Sequence, residues 1–148
     1  MRIYIGADHN GFEYKQQIAD FLRRSGHEVI DDGDTQLDPA DDFPVFAGTV
    51  AHSILSDDDP KVRGILVCGS GQGMAMAANR FKGIRASLCW DLAEARAARN
   101  DDDSNVLVIS SRELDMTTAQ AIIVTWIETP FAGAERYVRR IKELDQLG

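Results

Sequence analysis

Three features of the chain predict an α/β fold. Short apolar runs alternate with longer segments whose apolar residues fall at helical spacing. Residues 64–68, Gly-Ile-Leu-Val-Cys, run straight into a glycine-rich turn, Gly-Ser-Gly-Gln-Gly at 69–73, and the apolar run Met74 to Ala78 behind it opens a helix. The length of 148 residues suits one domain that buries its own core without staples. Strand–helix alternation implies a parallel sheet covered on both faces. The expected architecture is a Rossmann-like three-layer α/β/α sandwich with a five-stranded parallel sheet, a single domain over residues 1–148.

The elements follow in order. Ile3 to Ala7 is a short apolar strand. Phe12, Ile18, Phe21 and Leu22 mark one face of a helix that ends near Ser25-Gly26. Glu28 to Ile30 is the second strand, and Asp31 to Asp42 is a polar loop with Gly33 and Pro39. Phe43 to Leu55 reads as a helix closed by the acidic turn Ser56 to Pro60. Val62 to Cys68 is the third strand, and the helix after the glycine turn runs to about Phe81. Ile84 to Cys89 is the fourth strand, Leu92 to Arg99 a helix, and Asn105 to Ile109 the fifth strand. Met116 to Ile127 is an apolar helix and Glu135 to Leu147 an amphipathic one. No repeat, linker or low-complexity tract interrupts the pattern.

Composition narrows the function. The net charge of -8 argues against nucleic acid and anionic membranes as partners. No apolar run reaches transmembrane length, and Met1 leads directly into the first strand rather than a signal peptide. The two cysteines, Cys68 and Cys89, sit in strand-like contexts with no C-x-x-C and no Cys/His cluster. They suggest neither a disulfide framework nor a metal, and a reducing cytoplasm is the expected setting.

The chemistry-bearing residues gather at strand ends. Cys68 stands at the carboxyl end of a strand, where open α/β sheets bind ligands. The glycines behind it allow close backbone approach and an anion nest. A helix N-terminus lowers a thiol pKa, so Cys68 is a candidate nucleophile or base; the alternative is a buried cysteine at a tight turn. Asp8 and His9 follow the first strand and share that rim if the two strands are neighbours. Alone, the pair would read as a helix cap and a surface histidine. The acidic runs Asp57 to Asp59 and Asp101 to Asp103 read as solvated turns. The second precedes the fifth strand, outside any site within its own subunit, although a site shared across a dimer could recruit it.

Asp8-His9, Asp42-Phe43-Pro44, Cys68-Gly-Ser-Gly-Gln-Gly, the block from Ala77 to Ala86, Ser104-Asn105-Val106-Leu107 and Ser111-Arg112 together resemble ribose-5-phosphate isomerase type B. That group includes the two subunits of galactose-6-phosphate isomerase, and the likeness covers nearly the whole chain in order and spacing. The resemblance implies an aldose–ketose isomerisation of a sugar phosphate through an enediolate, without metal or organic cofactor. Cys68 matches the base and Ser70 the hydroxyl that handles oxygen protons. The backbone N–H groups from Gly69 through Gly71, Gln72 and Gly73 to Met74 would face the developing oxyanion. Asp8 would bind substrate hydroxyls, His9 would lie near the phosphate or ring oxygen, and Arg112 and Arg139 would serve the phosphate. The resemblance also implies a homodimer or homotetramer with a site shared between subunits, the last two helices being candidates to cover the interface.

Two motifs depart from the family. Its ring-opening histidine is replaced by Asp101, within Asp101-Asp102-Asp103, and Asp102 becomes a further substrate-binding candidate. Of the terminal arginines, Glu135 replaces the first, Arg136 stands where a histidine is usual, and Arg139 is retained. A one-residue slip would give Arg136 the lost role. These changes bear on substrate. An acyclic tetrose phosphate needs no ring opening, and a carboxylate can itself act as ring-opening base. The chain can also be read as a subunit that needs a paralogous partner, or as a non-catalytic sugar-phosphate binder. A dinucleotide site is disfavoured because G-x-G-x-x-G is missing. A thiol hydrolase is disfavoured because no second histidine is placed to form a triad: His27 falls at a strand start and His52 on a helix, where both read as structural or solvated.

Overall fold

The computed structural model describes all of residues 1–148. Its strands are β1 (Arg2–Ala7), β2 (Glu28–Asp31), β3 (Arg63–Cys68), β4 (Ala86–Leu88) and β5 (Val106–Ser110). Its helices are α1 (Phe12–Arg24), α2 (Phe43–Ser56), α3 (Gln72–Ala78), α4 (Leu92–Asn100), α5 (Met116–Glu128) and α6 (Glu135–Leu144). All neighbouring strands pair in parallel, in the order β2-β1-β3-β5-β4. The expected five-stranded sandwich is therefore the fold.

The sheet separates two cores. Ile3, Ile5, Ile65, Val67, Leu107 and Ile109 face one side and meet Ile18 and Leu22 of α1 and Ile122, Ile123 and Trp126 of α5. Leu66, Cys68, Val106 and Val108 face the other, against Phe46, Val50 and Ile54 of α2 and Met74 of α3. Alternate residues of one strand thus feed both cores, which is why the strands read as unbroken apolar runs. Pro44 in the first turn of α2 starts that helix, and the side chains of Asp91 and Asp115 cap α4 and α5 by accepting from Glu94 and Thr118 N–H groups. No helix is long and apolar enough to cross a membrane.

Three boundaries differ from expectation by two residues or more. The last helix ends at Leu144, not Leu147. The helix after the glycine turn ends at Ala78, not near Phe81, and β4 begins at Ala86, not Ile84. Asn79 accounts for the last two. Its amide donates to the Ala86 carbonyl at 2.9 Å and accepts from the Ala86 N–H at 2.8 Å, clamping the helix end to the strand start. A short 3-10 turn, His9–Gly11, also stands between β1 and α1.

The strand order reverses between β1 and β3. The chain leaves β1 for β2 on one side and then crosses to β3 on the other, which opens a crevice at their carboxyl ends. Ala7 pairs with Val67, so Asp8 and Cys68 leave the sheet at the same level.

Candidate active site

Cys68 and Asp8 meet in that crevice. The Cys68 thiol donates to Asp8 Oδ2 at 3.0 Å, and both residues are buried, at 8% and 4% exposed. Asp8 Oδ1 accepts from the Asn10 N–H at 3.1 Å, which fixes the carboxylate on the 3-10 turn. Burial pushes the thiol up to about 11; the Asp8 hydrogen bond and charge add to that, while the Gly71 and Gly69 N–H groups oppose it. This corrects the expectation that the helix N-terminus alone would lower the thiol. Burial of the sulfur, with the carboxylate beside it, outweighs the partial charge of a seven-residue helix. The raised pKa and the contact agree in making the thiol the donor and Asp8 the acceptor.

The glycine turn holds its shape through its neighbours. Gly71 lies at φ +80, the left-handed region, and a Cβ there would stand 2.6 Å from Leu88 Cδ1. A Cβ on Gly73 would strike the Phe43 ring at 2.6 Å, so the phenyl group lies directly on the loop. Ser110 Oγ donates to the Gly69 carbonyl at 2.6 Å, and Ser111 Oγ donates to the Asn10 carbonyl at 2.9 Å. These two hydroxyls join the turn after β1 to the turn after β3. Ser70 is exposed, and its Oγ accepts the Gln72 N–H at 3.3 Å.

Arg112 belongs to this rim. Its backbone N–H donates to the Gly69 carbonyl at 3.1 Å, and its Nη2 lies 2.9 Å from where a Gly69 Cβ would be. His9 is here too, held by a residue that sequence reasoning missed. Asp41 Oδ1 accepts the His9 backbone N–H at 3.0 Å and lies 2.6 Å from His9 Nδ1. The only sequence signal was the pair Asp41-Asp42 ahead of the second helix, and of the two the resemblance drew attention to Asp42.

Four predicted site residues are not brought to this rim. Asp101 and Asp102 follow α4 at the amino end of β5, whereas Cys68 pairs with Ser110 at its carboxyl end. A strand of this length separates the two edges by roughly 15–20 Å. Arg136 and Arg139 lie on α6, whose approach is tied to the same far edge by the Ala132 N–H bond to the Asn100 carbonyl. Arg136 stacks on Tyr137 at 4.7 Å and is exposed to the charge of Asp101. Arg139 reaches only Glu143, at 3.9 Å. Within one chain the far group is therefore separate; the position of Asp101 before the fifth strand predicted this for the acidic run, but nothing predicted it for Arg136 and Arg139. Helix α6 buries none of its residues, whereas α5 places Ala119, Ile122, Ile123 and Trp126 wholly inside its own core. No group of three His, Cys, Asp or Glu side chains is placed to hold a metal ion.

The chain as a whole has known relatives. Residues 3–144 match the Ribose/Galactose Isomerase family. The chain is 39% identical over 141 residues to ribose-5-phosphate isomerase B of Mycobacterium tuberculosis, covering 95% of this chain and 86% of that one. It is 36% identical over 143 residues to the Escherichia coli enzyme of the same name, covering 97% and 93%. The crystal structure of a ribose 5-phosphate isomerase from Thermotoga maritima superposes with a TM-score of 0.93 at 40% identity, covering 99% and 98%. Ribose-5-phosphate isomerase B from Mycoplasma genitalium, solved with bound ribulose-5-phosphate, gives 0.93 at 36% identity, covering 98% and 94%. Matched over residues 3–144 by the family model and sharing its fold with these enzymes, the chain belongs to the ribose/galactose isomerase family of sugar-phosphate aldose–ketose isomerases.

Proposed function

We propose that this chain interconverts a four- or five-carbon aldose phosphate and its ketose isomer by proton transfer between neighbouring carbons, with Cys68 as the base. The observation that carries this is the 3.0 Å thiol–carboxylate contact in the β1/β3 crevice. Asp8 accepts the thiol proton as substrate displaces water, and the thiolate removes the proton beside the carbonyl. The electron pair moves onto the carbonyl oxygen, which becomes an enediolate oxyanion facing the N–H groups of residues 69–74. Return of the proton to the neighbouring carbon completes the isomerisation, and Ser70, exposed at the same rim, relays the oxygen-bound protons.

The phosphate end is assigned to Arg112 and His9. In this reading Asp101, Asp102, Arg136 and Arg139 serve the site of a second copy of the chain, because they occupy the opposite edge of their own sheet. The half-exposed apolar side of α6 (Tyr137, Val138, Ile141) is suited to packing on that copy. Asp101 and Glu135 add negative charge where ring opening and phosphate binding are expected. They favour an acyclic substrate, and they also keep alive a second reading as a partner-dependent or purely binding subunit.

A turnover screen of the purified chain against four-, five- and six-carbon aldose and ketose phosphates separates these readings. Solvent deuterium incorporation should accompany turnover. Binding without exchange for every sugar identifies the binding subunit; exchange that appears only with a second polypeptide identifies the partner-dependent one.

A further inference from the structure

His9 is gripped twice by one oxygen. Asp41 Oδ1 takes its backbone N–H and faces its Nδ1, while the Asp41 side chain is only 8% exposed and the ring 34%. The loop that carries Asp41 is itself pinned. Lys15 is fully buried in α1, and its Nζ donates to Asp31 Oδ1 at 2.8 Å and to the Asp34 carbonyl at 3.1 Å. The Asp41 N–H then donates to the Asp38 carbonyl. The carboxylate is thus set by the fold and not by the ligand.

At 2.6 Å from a carboxylate oxygen, Nδ1 carries hydrogen. Two forms of the ring remain. A neutral ring protonated at Nδ1 has Nε2 as an acceptor, whereas an imidazolium has Nε2–H as a charged donor. Only the second suits an anion.

We propose that Asp41 is a positioning residue that keeps His9 as an imidazolium whose Nε2–H donates to the phosphate of the substrate, making His9 a further cation of that end, supplied by the same chain as Arg112. The charges around the ring agree. Asp41 and Asp38 from the loop and Asp8 from the end of β1 all favour the cation; burial opposes it, and the His9 pKa lies above the ordinary histidine value. Arg112, on the turn after β5, is the other cation of the rim, over Gly69. The inference rests on the sugar-phosphate reading for its ligand, but the state of the ring can be measured without one.

The first measurement is an NMR titration of the histidine ring nitrogens in the full chain, with His9→Gln assigning the signal against His27 and His52. Wild-type His9 should titrate above a free histidine, Asp41→Asn should lower its midpoint, and Asp41→Glu should restore part of the rise. The second is sulfate affinity against pH, since sulfate keeps its charge throughout. At pH near 7.5 Asp41→Asn should bind sulfate about fivefold more weakly, while near pH 5.5 the two proteins should bind alike. An ordinary midpoint in wild type, or one unmoved in Asp41→Asn, overturns the role of Asp41 and leaves the isomerase reading standing. A loss of sulfate affinity equal at every pH marks a merely structural role and overturns it too. A lowered midpoint with unchanged sulfate affinity overturns the anion contact, and with it the assigned phosphate end.

Discussion

Replacing Asp8 by Asn separates the ionisation of Cys68 from its use. At pH 8 a thiol pushed up to about 11 is ionised in about one molecule in a thousand, against roughly one in four for a free cysteine. Alkylation proceeds through the thiolate, so iodoacetamide should modify Cys68 about two hundred times more slowly than a free thiol. Burial of the sulfur slows it further. Asp8→Asn removes a charged acceptor worth about 1.5 kcal/mol to the protonated thiol, or roughly tenfold in thiolate at fixed pH. The midpoint should fall, yet stay above that of a free thiol because burial persists. The assay is iodoacetamide incorporation against pH, read by mass spectrometry on the Cys68 peptide. Cys89 is the internal control: it is 1% exposed and pushed up to about 12, so it should react after Cys68 in both proteins. Turnover should fall in the same variant that alkylates faster, because the proton acceptor has gone. A wild-type midpoint below about 8.5, or no change in Asp8→Asn, would refute the argument that Asp8 holds the thiol proton.

Three further predictions follow from the same geometry. Cys68→Ser should fold and bind substrate but lose most turnover, and Ser70→Ala should lose less; near wild-type kcat in Cys68→Ser would make Asp8 the base. Arg112→Ala should chiefly raise KM, by about 2 kcal/mol or thirtyfold if the phosphate contact is desolvated, with Arg112→Lys between the two. Asp101→His with Glu135→Arg should shift preference toward ribose 5-phosphate; efficient wild-type turnover of that sugar, unchanged in the double variant, would show that these positions do not set specificity.

The parts of this molecule that were legible in the sequence are those that repetition or local chemistry writes down. Strand–helix alternation gave the sheet, and its Cys68 and Asp8 ends fell together because β1 and β3 are neighbours. The state of Cys68 was not legible. A glycine turn and a helix start are local and argue for a lowered pKa, but the burial and the Asp8 contact that decide the sign come from a residue 60 positions away. Asp41 was hidden for the same reason: its partner His9 lies 32 positions back, beyond α1, β2 and a loop of no fixed period. The boundary near Ala78 was missed because Asn79 acts through its side chain on Ala86, a contact that apolar spacing does not record.

The two edges of the sheet carry different halves of one set of motifs, with Cys68 and Asp8 on one and Asp101, Arg136 and Arg139 on the other. If each half serves a different copy, damage to one can be made good by mixing. A Cys68→Ser chain keeps a sound far edge, and an Arg139→Ala chain keeps a sound crevice. Random reassociation of the two in equal amounts makes about half of the dimers hybrid, and each hybrid holds one site with every residue intact and one with both lost. Two nearly inactive preparations should then yield about a quarter of the wild-type specific activity after unfolding and refolding together, and nothing when merely combined without exchange of subunits.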